Sequence, residues 1–161
     1  MESNPLIQAQ IDALPADDNW AVRTVDLLIG SAHRIGCSDL HLLCLRDSIH
    51  VRGRREGDLL PFANLSPVHR EMLIARLKIM AKVPAFVRHE PQDGRIDWSC
   101  AENKNSSLLR VSFLPTIHGE NIVVRFPEDK VELDIDRLGM QPGVLAVVKR
   151  SGVGRQSGLE V

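Results

Sequence analysis

Tyrosine is absent from this chain, and its aromatic complement is four phenylalanines and two tryptophans. So few rings give single-stranded nucleic acid little to stack on. An excess of charge of either sign is missing too. Twenty Lys and Arg stand against 21 Asp and Glu, for a formal net charge of −1. No global field therefore draws nucleic acid or an anionic membrane. No apolar run approaches the length of a bilayer crossing, and the first residues carry no signal-peptide pattern. Direct membrane insertion is not expected, and a role at a membrane would come through a partner. The three cysteines, Cys37, Cys44 and Cys100, show no CxxC spacing. That pattern predicts reduced thiols in a cytosolic protein, serving as small core residues and not as ligands. A GxxxxGK(S/T) segment is also lacking. Such a loop supplies backbone N–H groups, a lysine and a Mg²⁺-binding hydroxyl to nucleotide phosphates. Without it, this chain alone is not expected to hydrolyse ATP. The stretch Gly152-Val153-Gly154-Arg155-Gln156-Ser157-Gly158 is glycine-rich but lacks the Gly-Lys-Ser/Thr step, and reads as linker.

What is present fits one compact domain with a sizeable core and part of a second: 161 residues, 43% of them hydrophobic. Residues 1–19 read as an arm interrupted by Pro5 and Pro15. Val22, Val25, Leu28, Ile29 and Ala32 form one apolar stripe, predicting a helix over Trp20 to Ile35 that stops at Gly36. The period then changes to two. Leu40, Leu42 and Cys44 alternate with polar residues, as do Ile49 and Val51, and a third strand is expected near Leu59 to Phe62. Arg46-Asp47-Ser48 and Glu56-Gly57-Asp58 are the intervening turns. Ser66 and Pro67 begin a second helix running to about Lys82, with Met72, Leu73, Leu77 and Met80 as its buried stripe. Asp93-Gly94 is a turn signal before a strand carrying Ile96, Trp98 and Cys100. Glu102 to Ser107 reads as a polar turn.

Leu109 to Phe126 reads as a β-hairpin. Leu109, Val111 and Phe113 alternate on one arm; Ile122, Val124 and Phe126 alternate on the other. Pairing about a centre between Ile117 and His118 puts Phe113 across from Ile122 and Val111 across from Val124. On the opposite face Arg110 falls across from Arg125, and like charges at a cross-strand position repel. Two readings fit this pair: two solvated arginines splayed apart, or an anion site in which two guanidinium forks hold a phosphate. After Phe126 the texture becomes charged and poor in strand signals. The fold class is α+β: an antiparallel sheet of about five or six strands with two main helices packed on it.

Other chemistries carry weaker signals. No two histidines stand at i, i+4 and no HExxH occurs, so solvated or hydrogen-bonded histidines are expected and no metal site. His41 and His50 could share one sheet surface. A Cys37/His41 nucleophilic pair has neither an oxyanion motif nor an orienting acid. Arg52, Arg54 and Arg55 form a basic patch without aromatics, best read as a solvated strand face.

The run Leu114-Pro115-Thr116-Ile117-His118-Gly119-Glu120, followed by Val123 and Arg125, resembles the N-terminal half of the secretion ATPases of type II secretion and type IV pilus assembly. Cys37-Ser38-Asp39-Leu40-His41-Leu42, Pro91-Gln92-Asp93-Gly94-Arg95-Ile96 and Asp136-Arg137-Leu138-Gly139-Met140 agree in order and spacing. The resemblance runs from about Val22 to Met140. It implies a PAS-like N-terminal domain over residues 20–127, an interdomain linker at 128–140, and the start of a RecA-like ATPase core at 141–161, cut before the Walker A loop. It also implies that Arg110 and Arg125 reach the nucleotide phosphates when the two domains close, with ATP and Mg²⁺ as cofactors of the intact protein and none for this chain alone. The implied partners are the RecA-like core in cis, neighbouring subunits of a hexameric ring, and an inner-membrane platform protein, at a cytoplasmic location. Asp39, His41, Asp93, Gly94 and Arg95 match motifs read as mainly structural. Glu56-Gly57 stands where Asp-Gly is usual in the family. The competing reading is a stand-alone PAS-like interaction module that hydrolyses nothing.

Overall fold

In a computed structural model of the chain, residues 3–99 and 106–127 are described. Helix α1 covers Pro5–Asp12, α2 Trp20–Ile35 and α3 Arg70–Met80. The strands are β1 (Asp39–Cys44), β2 (Ile49–Arg55), β3 (Asp58–Leu65), β4 (Gln92–Ser99), β5 (Ser106–Thr116) and β6 (Gly119–Arg125). They form one antiparallel sheet in the order β3-β2-β1-β6-β5-β4, so the described residues make an α+β fold of six strands and three helices. Leu40, Leu42, Ile49, Val51, Ile96, Leu109, Val111, Phe113, Ile122 and Val124 come from alternate strand positions. They pack with Val25, Leu28, Ile29, Leu73 and Leu77 of the helices into a single core. Among the described residues no helix packs on the other face of the sheet.

Helix α2 ends as its sequence requires. Gly36 takes φ 76°, the left-handed region where a side chain is strained. There the Cys37 N–H donates to the Ala32 carbonyl at 2.9 Å. Cys37 and Cys44 are buried free thiols, as expected. Among the described residues no helix is long and apolar enough to cross a membrane.

Several local expectations are corrected. The first nineteen residues are not a bare arm, because α1 lies within them. Asn4 caps that helix through its side chain and Pro5 occupies its first turn, where a missing N–H costs nothing. Ile7 and Ile11, one turn apart, are buried. The Asn4 N–H donates to the Phe62 carbonyl at 3.1 Å, and the Asn64 N–H to Gln8 Oε1 at 2.9 Å, so α1 covers edge strand β3. Strand β3 runs on to Leu65, with a register shift opposite Val51 and Arg52 that tucks Phe62 into the core. Ser66 caps a short 3₁₀ turn, Pro67–His69, that feeds α3.

The buried stripe of α3 is Leu73, Ile74, Leu77 and Lys78, while Met72 is 44% exposed. The phase differs from the expected one in burying Ile74 and, at the end of the stripe, a lysine. Lys78 Nζ lies 2.8 Å from Glu120 Oε1 and 2.5 Å from the Val87 carbonyl, both charged groups inside the core. Asp93-Gly94 is not a turn but part of β4. A Cβ at Gly94 would lie 2.7 Å from the Ala81 carbonyl oxygen, so glycine is required by the close passage of the chain after α3. Ser106 and Ser107 already belong to β5, while Cys100 and the rest of the expected polar turn lie outside the described residues. The linker at 128–140 and the segment 141–161 likewise lie outside them.

Candidate functional site

The hairpin of β5 and β6 closes with Thr116 opposite Gly119, leaving Ile117 and His118 at the tip. Gly119 supplies the positive φ of 125° that so tight a closure needs. From that tip the register follows residue by residue: Phe113 opposite Ile122, Val111 opposite Val124, Arg110 opposite Arg125. The apolar pairs are buried; both arginines are exposed on the open face.

The neighbouring strands extend the row. Strand β4 places Arg95 opposite Arg110, β1 places Asp39 opposite Arg125, and β2 places Arg54 opposite Asp39. Five adjacent strands thus carry Arg95, Arg110, Arg125, Asp39 and Arg54 in line. With strands about 4.8 Å apart, the three arginines of β4 to β6 span roughly 10 Å. An open groove of about 560 Å³ runs beside them, lined by Asp93, Arg95, Arg110, Ser112, Val123 and Arg125. Within its lining the Ser112 hydroxyl donates to Asp93 Oδ1 at 2.5 Å.

Asp39 is the one carboxylate in the row and is 6% exposed. Arg125 Nε donates to its Oδ1 at 2.8 Å and the Ser38 hydroxyl to its Oδ2 at 2.9 Å; Arg54 Nε stands 3.8 Å away. Burial pushes the Asp39 carboxyl up, but the hydrogen bonds from Arg125 and Ser38, with the Arg125 charge, outweigh it and hold the group below the usual carboxylate range. His41, two residues along on the same face, is pushed down. Burial is the main cause, and Arg54 and Arg125 add to it against the opposing pull of Asp39. Its Nε2 is buried without a protein hydrogen-bond partner among the described residues.

A pH dependence follows. The unfolded chain protonates this imidazole near its ordinary value of about 6.5, before the folded chain does. Stability therefore falls as pH drops below that point towards the lowered folded value. The Asp39 contribution, in contrast, stays in place until the pH falls below the usual carboxylate range. Thermal melts of wild type and His41→Asn between pH 8 and 5 check this. The variant should show a flatter dependence below about 6.5, and curves of equal slope would refute the assignment.

Arg110 and Arg125 are thus brought together as their alternation predicts. Arg95, Asp39 and Arg54 join them unannounced. The outward phase of Arg95 could be read from Ile96 and Trp98, but its partner depends on a β4–β5 register that no turn motif marks. The Cys37/His41 pair does not form a nucleophilic site. Cys37 packs in the core near Phe62 and Gly53, and burial raises its thiol pKa, away from the thiolate. Among the described residues no cluster of three His, Cys, Asp or Glu could hold a metal ion.

Residues 15–157 match the family described as type II/IV secretion system protein. The chain is 38% identical over 127 residues to the protein transport protein HofB homolog of Haemophilus influenzae, covering 77% of this chain and 27% of that one. To the type II secretion system ATPase E of Vibrio cholerae it is 32% identical over 125 residues (77% and 24%), and to the type IV pilus assembly ATPase PilB of Pseudomonas aeruginosa 33% over 155 residues (87% and 27%). The chain therefore spans about a quarter of the length of these relatives. Among solved structures, the Legionella pneumophila ATPase DotB aligns over 80% of this chain and 34% of its own, with a TM-score of 0.44 and 13% identity.

Proposed function

Because the chain belongs to the type II/IV secretion system protein family, we propose that it is the non-catalytic N-terminal domain of a secretion or pilus-assembly ATPase. In this reading the open face of its sheet meets the phosphates of a nucleotide held by a RecA-like core of the same protein. The observation that carries it is the row of Arg95, Arg110 and Arg125 beside one groove. Three guanidinium groups on adjacent strands repel one another, and a phosphate chain offsets that repulsion with bidentate, charge-assisted hydrogen bonds. Arginine is suited to this because its fork is planar and always charged.

The residues present fit one half of a nucleotide site. Arg110 and Arg125, with Arg95 at the end of the row, neutralise charge that grows on the phosphoryl oxygens as the transition state forms. The Mg²⁺ and the loop that cradles the phosphates belong to the core. ATP supplies the phosphoryl transfer whose turnover is coupled to motion between the two domains. Neighbouring subunits of a hexameric ring and an inner-membrane platform protein complete the assembly, on its cytoplasmic side.

The test uses a photoreactive ATP analogue with the reactive group on its γ-phosphate. In the intact protein it should label peptides of β4, β5 and β6 that carry the three arginines, and excess ATP should suppress the labelling. Label confined to the helical face, or none on this chain while the core is labelled, would overturn the proposal in favour of an interaction module that hydrolyses nothing.

A further inference from the structure

Asp39 is the most buried side chain of the row. It lies on β1, with β2 on one side and β6 on the other, and its carboxylate is bonded by Ser38 and Arg125 and flanked by Arg54. The arginine it grips is different: the Arg125 side chain is 68% exposed, while that of Asp39 is 8% exposed. A long, exposed arginine loses much rotamer freedom when it is ordered. A buried carboxylate bonded to its Nε takes up part of that loss during folding, before any ligand arrives.

We infer that Asp39 is the positioning residue for Arg125: it anchors the guanidinium at Nε so that the side chain stands in the groove beside Arg110. The inference rests on the phosphate reading of Arg125. It assigns the Ser38-Asp39 segment a role in orientation, acting through another side chain and not on the nucleotide itself.

Electrostatics alone predicts the opposite result. Asp39 is the only negative charge in the row, so removing it makes the row more positive and should tighten its hold on an anion. Positioning predicts that the reaction slows although the charge has improved. The two are separated by steady-state ATP turnover of the intact protein, normalised to folded protein by thermal melts.

Asp39→Asn, which keeps an acceptor oxygen but loses the charge, should lower kcat about tenfold with KM for ATP unchanged or lower. Asp39→Glu, which keeps the charge but moves the anchor by one methylene, should also lower kcat. On an Arg125→Ala background neither change should cost anything further, because the group they position is gone. A kcat that stays at the wild-type value in both variants overturns the inference, and so does an equal drop with and without Arg125. If Arg125→Ala itself leaves turnover intact, the phosphate reading fails, and this inference with it. If Arg125→Ala slows turnover but the Asp39 variants do not, the phosphate reading stands and the positioning role falls alone.

Discussion

Alanine at Arg110 should lower ATP turnover of the intact protein by about 10²–10³-fold if the proposed phosphate role holds, the usual cost of removing one donor aimed at developing charge, while the thermal midpoint of this domain should hold or rise slightly. The two effects separate because Arg110 stands between two like charges, Arg95 and Arg125. Removing it relieves both cross-strand repulsions. Arg125→Ala should cost a similar factor in turnover, but here stability falls as well, by about 1 kcal/mol, since a largely buried carboxylate loses a charged hydrogen bond. That value is small because the Arg125 side chain is 68% exposed and its charge is well screened. Sequence pattern alone treats the two arginines alike; the contact with Asp39 sets them apart. Melts of the two variants beside steady-state turnover check this. Equal midpoints, or a loss of turnover no larger than the loss of folded protein, would show that the arginines are structural.

Lys78→Met should cost about 3–5 kcal/mol of stability. Lys78 is fully buried, and the Glu120 side chain it faces at 2.8 Å is 4% exposed. The lysine also lies 5.5 Å from the Phe113 ring centroid. The methionine fills the space but leaves the Glu120 carboxylate without its counter-charge in the core. For a domain of this size the midpoint should drop by some 10–20 °C. The double variant Lys78→Met with Glu120→Leu should recover most of that, because a well-packed apolar pair is often as stable as a buried ion pair. Denaturant or thermal unfolding of the three variants decides it. A double variant no more stable than Lys78→Met would show that the pair does more than balance its own charges.

The same residues show what the sequence could convey. The β5–β6 register was legible down to single pairs because both arms alternate strictly and a two-residue tip leaves one way to close them. The existence of α2 was legible for the same reason: one stripe, one terminal glycine. Lys78 was not, since a lysine in an apolar stripe reads as surface until its carboxylate is found 42 positions away on strand β6. The role of Gly94 was hidden because the atom it makes room for, the Ala81 carbonyl oxygen, is distant in sequence. Helix α1 is hard to see because a proline marks a helix start as readily as an interruption, and only the Asn4 cap decides between them. The arginine row was half legible: its centre lies within one hairpin, and its ends depend on pairings between segments that no local motif specifies.

Strand order has a consequence for how the face comes into being. Strands β1 to β3 and β4 to β6 are each a meander built from neighbours in sequence, and either can form from short-range contacts. Only the pairing of β1 with β6 joins them, through partners such as Asp39 and Arg125 that lie 86 residues apart. Closing so long a loop is slow compared with zipping a hairpin. A chain still in the act of folding can therefore hold Arg95, Arg110 and Arg125 together on β4 to β6 while Asp39 and Arg54 remain on a separate piece. The grip of Asp39 on Arg125 arises at the seam between the halves, so Arg125 is anchored only once the two halves have met.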